Sequence, residues 1–327
     1  MNLSFSHFLI PSFSHSLIPS FSHSLIPSFT PFLMHLSIHN WMRAEPLETT
    51  LRRISSMGYG SIEIMGAPQL YDTKVVRQQL KDYGLKCWGS VTLMEDGLNL
   101  LSADPDERAN SVTYVKSLVD MVKELDGHMV SVVPGTVGKI VPDGRPEEEW
   151  KWAVASMQEI YAHAEKAGVL LGIEPINRFE TYFVNRADQA YALAEATGEN
   201  CGVCLDIFHM NLEEADWAAA LRRSADRLHG FHVADNNRMA PGMGSLDWAA
   251  IIGVLKEIGY DGAVSVEFCP PLDRTPANPY PGSIDTNPVG LSPEQKKFLE
   301  DHGSSAFTEE FYAQLTQTSL DTLQPLL

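Results

Sequence analysis

Four segments of this sequence end an apolar run on a residue that can hold a proton or a cation. Val169 to Ile173 runs into Glu174, Val203 to Leu205 into Asp206, Leu228 to Phe231 into His232, and Ala263 to Val266 into Glu267. The spacings are 32, 26 and 35 residues. Each is the length of one strand, one helix and two loops. In a parallel β/α barrel the strand C-termini converge on one mouth, where the chemistry sits. Glu174, Asp206, His232 and Glu267 are therefore expected to meet. A lone strand-end carboxylate is more often a helix cap or an ion-pair partner; four such residues at successive strand ends argue against coincidence. Three carboxylates and an imidazole form a hard oxygen and nitrogen ligand set for one divalent cation, Mn²⁺ foremost and Mg²⁺ or Co²⁺ otherwise.

The elements that must position these residues alternate regularly from Met34. Strands are expected at Met34 to His39, Ser61 to Met65 (carrying Glu63), Leu85 to Val91 and Met129 to Val133, ahead of the four already named. Helices are expected at Pro46 to Met57, Thr73 to Tyr83, Asp104 to Leu125, Glu147 to Lys166, Ala187 to Ala196, Ala215 to Asp226 and Trp248 to Ile258. Between Glu147 and Lys166 the apolar residues recur on one helical face, and Gly168 can close that helix. Ser245 and Asp247 can cap the last of these helices. Eight strands with interleaved helices predict a single-domain (β/α)₈ TIM barrel over residues 34–268. Residues 269–327 are then an extension. Seven prolines between Pro270 and Pro293 forbid regular structure there, and helices are expected at Pro293 to Glu300 and Ser305 to Thr316. The proline-rich segment leaves Glu267 directly, so it reads either as a cover over the mouth or as a surface excursion. Glu63 reads equally as a mouth residue or a structural one.

Residues 1–33 differ from the rest. Phe5 to Ser12 recurs as Phe13 to Ser20 and Phe21 to Ser28, and no residue in the stretch is charged. It lacks the basic start of a secretory signal. It reads as a disordered extension, or as an upstream region outside the native protein with Met34 as the true start, leaving 294 residues. A chain beginning at Met34 is expected to melt at the same temperature as the full chain by calorimetry. A drop of several degrees would show that the repeat packs on the barrel.

Composition narrows the partners. The formal net charge is −18, with no cluster of Lys or Arg. Such a surface repels phosphate backbones and argues against nucleic acid. No apolar run approaches the roughly 18 residues of a membrane span. Four cysteines in 327 residues make no disulfide framework and suit a reducing cytoplasm. Cys201 and Cys204 form a C-x-x-C, but on a strand entry rather than a helix start, so packing is the expected role.

Four motifs carry a resemblance. Glu174-Pro-Ile-Asn-Arg-Phe-Glu180, Leu205-Asp-Ile-Phe-His-Met-Asn-Leu-Glu-Glu214, His232-Val-Ala-Asp-Asn-Asn-Arg238 and Lys256-Glu-Ile-Gly-Tyr-Asp-Gly262 resemble the D-tagatose/D-psicose 3-epimerases of the xylose-isomerase-like superfamily. The likeness covers Met34 to Glu267 in layout and is sharpest over 169–267. It implies metal ligation by Glu174, Asp206, His232 and Glu267. It implies that Glu174 and Glu267 also act as acid and base on opposite faces of a sugar. Glu180, His209 and Arg238 match residues that hold the substrate's first carbons and oxygens. The last two, close after ligands, are expected on mouth loops. Where family members carry aromatics at the first strand end, this sequence has His39, Asn40 and Trp41.

The residue chemistry agrees with that reading. Removing a proton beside a carbonyl makes an enediolate, whose charge a divalent cation stabilises. Two carboxylates flanking the cation serve as base and acid in either direction. The expected activity is a ketose 3-epimerase, with a small sugar as substrate; a homo-oligomer is compatible with the sequence. The alternative within the same chemistry is a metal-dependent lyase or isomerase on a 3-keto-sugar or keto-glycoside, of C-deglycosidase or dehydratase type. An endonuclease-like phosphodiesterase calls for more strand-end histidines and a basic face, and an inactive sugar-binding barrel would not need an intact acid/base pair.

Overall fold

The computed structural model describes residues 34–95, 97–284 and 307–327. The octapeptide repeat and the helix expected at Pro293 to Glu300 lie outside them. Eight strands follow the expected order: β1 His35–Ile38, β2 Ser61–Met65, β3 Lys86–Val91, β4 Met129–Val132, β5 Leu170–Ile173, β6 Cys201–Asp206, β7 Leu228–Val233 and β8 Ala263–Val266. All ladders are parallel, running β1-β8-β7-β6-β5-β4-β3-β2. The ring closes between β1 and β2 through a parallel bridge, His39 to Glu63, and through Gly60 N donating to Leu36 O at 3.1 Å. This is the expected (β/α)₈ TIM barrel.

Between the strands lie α1 Leu47–Met57, α2 Thr73–Asp82, α3 Pro105–Glu124, α4 Pro146–Ala167 and α5 Ala187–Thr197, then α6 Ile207–Glu213, α7 Trp217–Arg223 and α8 Trp248–Glu257. Helix α4 shows why the sequence is legible. Ala153, Met157, Ile160 and Ala164 are its buried stripe, and Gly168 ends it at φ +75°, a conformation that favours glycine. Asp247 caps α8 by accepting from Ala250 N, whereas Ser245 only donates its own N–H to Asn236.

One expectation is corrected. The helix expected from Ala215 to Asp226 is the shorter α7, and a further helix, α6, precedes it where none was expected. Asp206 accepts from Phe208 N and starts α6 directly on the strand end, and Asp216 accepts from Ala219 N and starts α7. Two capping carboxylates ten residues apart begin two short helices, and the first of them lies ahead of the expected range.

The last helix, α9 Glu309–Leu323, begins later than expected because Thr308 caps it. It packs on the α1 side of the barrel. Tyr59 Oη donates to Thr316 O at 2.9 Å, and Arg53, paired to Glu45 by bonds of 2.5 and 2.8 Å, lies over the Tyr312 ring.

Inside the ring, Trp88, Met129, Cys204 and Ala263 form their own apolar cluster. Gly172 and Gly230 make room for it: a Cβ on either would lie 2.8–3.0 Å from Met129 Cε. The cluster plugs the barrel below the strand ends, so polar side chains there face a closed floor.

Candidate active site

The strand-end residues are held by ladder bonds that run past the strands. Glu174 N donates to Val132 O and Glu267 N to Val233 O, both at 2.9 Å, and His39 N donates to Val266 O at 3.1 Å. Backbone held this way aims side chains inward with little freedom. Glu174, Asp206, His232 and Glu267 are exposed by 2, 0, 0 and 4 % respectively.

His232 is the hub. Its Nδ1 lies 3.0 Å from Glu174 Oε1 and 3.5 Å from Glu267 Oε2. Asp206 divides its two oxygens. Oδ1 caps α6, while Oδ2 accepts from Arg238 Nη1 at 2.5 Å and lies 3.6 Å from His209 Nε2. Arg238 also reaches Glu267 Oε2 at 3.5 Å and stacks 4.4 Å above the Phe208 ring.

Arg238 sits in a turn at φ +60°. The buried carboxylate of Asp235 builds that turn by accepting from Asn236 N, Gly242 N, Leu246 N and Trp248 Nε1. Arg238 is thus on a mouth loop, as expected. His209 is not; it lies in α6, one turn from Asp206, which caps the helix.

The rest of the expected set is tied in by Asn177. Its Nδ2 donates to Glu180 Oε1 at 2.6 Å and lies 2.9 Å from His209 Nδ1, to which its backbone N–H also donates at 3.2 Å. Because Nδ1 of His209 accepts, its proton belongs on Nε2, facing Asp206. Asn177 stands inside the first quoted motif, yet sequence reading gave it no role. Trp41 was missed in the same way; its Nε1 donates to Glu267 Oε1 at 3.1 Å. Ser131 donates to Glu174 Oε2 at 2.6 Å, and a lone strand serine carries no signal that would have revealed it.

The charges do not balance. Glu63, Glu174, Asp206 and Glu267 are buried, and among the described residues Arg238 is the permanent cation that pairs with them. Burial pushes the Glu267 carboxyl up, but His39, His232 and Arg238 together bring it well below the usual carboxylate range. Burial disfavours the His232 imidazolium, yet Cys204, Glu174, Glu63 and Glu267 raise it well above the usual histidine value. An excess of buried negative charge calls for a cation.

The donor set fits a divalent one. Ligands about 2.1 Å from one ion lie about 3.0–3.5 Å from each other, and His232 Nδ1 stands at that spacing from Glu174 Oε1 and from Glu267 Oε2. Among the described residues, three groups of side chains have ligand atoms close enough to share an ion, none of them including Glu267: Glu174 with Asp206 and His209, Glu174 with Cys204 and His232, and His39 with Glu63 and His232. Glu174 joins the first two and His232 the last two.

The carboxylates around His232 raise its imidazolium well above the ordinary histidine value, so a cation on Nδ1 would have to displace a proton. Apparent affinity for Mn²⁺ is expected to fall as pH drops below the raised His232 value, by up to about tenfold per unit. Calorimetry in buffers of different ionisation enthalpy should show about one proton released per ion. No proton release would remove His232 from the ligand set.

The model of the xylose isomerase-like TIM barrel matches residues 51–286. The chain belongs to that family. It is 32% identical over 229 residues to the D-psicose 3-epimerase of Enterocloster bolteae, covering 66% of this chain and 74% of the relative. It is 32% identical over 223 residues to the L-ribulose 3-epimerase of Mesorhizobium japonicum, covering 68% and 75%. Among solved structures, the D-psicose 3-epimerase of Clostridium cellulolyticum with D-tagatose superposes with a TM-score of 0.74 at 24% identity, over 90% of this chain and 99% of that one. The resemblance read from the four motifs is thus upheld, and this family member is an enzyme of the isomerase class, a carbohydrate epimerase. Among its described residues no helix is long and apolar enough to cross a membrane.

Proposed function

We propose that this protein is a divalent-cation-dependent ketose 3-epimerase. One observation carries the reading: Glu174 and Glu267 end strands three places apart around the ring, yet both carboxylates lie within 3.5 Å of one imidazole nitrogen. A substrate lying across that point has a carboxylate on either side. A bound divalent cation, held by Glu174, Asp206, His232 and Glu267, supplies positive charge beside the substrate's carbonyl and neighbouring hydroxyl; Mn²⁺ suits the ligand set best.

The side chains do the rest. Glu267, held ionised by its neighbours, takes the C3 proton from one face, and Glu174 delivers a proton to the other; the reverse direction exchanges their roles. Arg238 lies against both Asp206 and Glu267, where its charge can face the enediolate oxygens. Glu180 and His209, joined through Asn177, bind sugar hydroxyls as one preset unit.

The keto-glycoside reading draws on a separate observation. Ile140, Val141 and Phe179 are exposed by 56, 68 and 74 %. Their two loops are joined where Gly138 N donates to Glu180 O at 2.7 Å. An apolar border beside Glu180 suits an aglycone as well as a free sugar.

The deciding experiment incubates free ketoses and 3-keto-glycosides with Mn²⁺-loaded protein in D₂O. NMR is expected to find deuterium at C3 of a ketose together with its C3 epimer. Label at another carbon alone, or turnover of the glycosides alone, would replace the 3-epimerase reading. Arg238→Ala is expected to raise KM or lower kcat/KM with cation content intact, because the guanidinium neutralises carboxylates and is not itself a ligand. Loss of cation, or unchanged kinetics, would contradict that role.

A further inference from the structure

Glu63 is a charged residue in the middle of a barrel strand, between Ile62 and Ile64, and is 1 % exposed. An isolated buried carboxylate is too costly to persist without partners. Its Oε1 accepts from Ser265 Oγ and lies 3.4 Å from Nε2 of His232. Its Oε2 makes no hydrogen bond and lies 3.9 Å from His39 Nε2. Glu63 therefore meets His232 at the nitrogen that Glu174 and Glu267 do not address.

We infer that Glu63 is a positioning residue for the cation site, holding the proton of His232 on Nε2 so that Nδ1 presents its lone pair toward Glu174 and Glu267. This rests on the cation-site part of the proposed function. A carboxylate behind a ligating imidazole fixes its tautomer and its ring orientation. Here the fixing has a competitor. Cys204 Sγ lies 3.3 Å from the same Nε2. A thiol donating to Nε2 would favour the opposite tautomer, with the proton on Nδ1 and no lone pair for an ion. Glu63 is the stronger partner, because a carboxylate accepts a hydrogen bond far better than sulfur does. Ser265 holds Oε1 in place from strand β8, on the far side of β1.

The test compares wild type, Glu63→Gln and Glu63→Leu by Co²⁺ titration, read from the visible absorption of the bound ion, with melting of the cation-free proteins alongside. Leu keeps the bulk but cannot accept, and is expected to weaken Co²⁺ binding by about 10–100-fold. Gln still offers an oxygen to Nε2–H and is expected to restore most of the affinity. A purely structural role would lower melting temperature and leave Co²⁺ affinity unmoved, and that result overturns the assignment. Should Glu63→Leu fail to fold, ¹⁵N NMR of Zn²⁺-loaded wild type decides: a proton on Nε2 of His232 supports the assignment, and a proton on Nδ1 overturns it. If wild type itself binds no Co²⁺, the cation-site reading falls and takes this inference with it. If wild type binds and the Leu variant binds equally well, only the inference falls.

Discussion

Replacing either Glu174 or Glu267 by Gln is expected to cut turnover by about 10²–10⁴-fold, the usual share of general acid–base catalysis. Gln keeps the side-chain length and a neutral oxygen, so the packing around Ser131 and Trp41 should persist. It removes the group that exchanges a proton. In D₂O each should greatly slow deuterium entry into substrate, and both directions of epimerisation should slow alike in kcat/KM, because the base of one direction is the acid of the other. Near wild-type turnover in either variant would show that the two-carboxylate mechanism is wrong for this protein.

The second large effect concerns the cation. His232→Ala and Asp206→Asn are each expected to weaken Mn²⁺ binding by at least about 10²-fold. A structural four-ligand Zn²⁺ site binds its ion with about 10–16 kcal/mol, about 3 kcal/mol per ligand, and on that scale losing one ligand is roughly a hundredfold. Asn at 206 still caps α6 through its oxygen, so that variant should fold normally. His232→Ala also leaves Glu63, Glu174 and Glu267 without the imidazolium they surround. The folded-state value of His232 is raised, so its contribution to cation-free stability is fully present below the ordinary histidine value and is lost as pH rises through the raised one. The Ala variant should therefore melt lower than wild type at neutral and mildly acidic pH, with the gap closing in alkali. Full Mn²⁺ occupancy by elemental analysis in both variants would sink the ligand assignment.

The sequence by itself determined the ring. Strand-end residues at one-unit spacing, a single apolar face on α4 and a glycine at its end are local signals, and local hydrogen bonding and burial obey them. It also determined which residues share the mouth, because a parallel barrel brings strand C-termini together whatever lies between them.

Tertiary structure decided what each of those residues touches. That Asp206 gives one oxygen to a helix and the other to Arg238 follows from α6 starting on the strand end, which periodicity did not reveal. Asn177 joins Glu180 to His209 across two β/α loops, and no spacing along the chain encodes that contact. Glu63 is the sharpest case. In the sequence it is one polar position between two isoleucines, equally readable as a mouth residue or a packing one. Its partners, Ser265 and His232, stand 202 and 169 residues away, and only closure of the ring between β1 and β2 sets it behind the His232 imidazole. Pair electrostatics depend on distance and burial, and both are properties of the closed barrel rather than of any one strand.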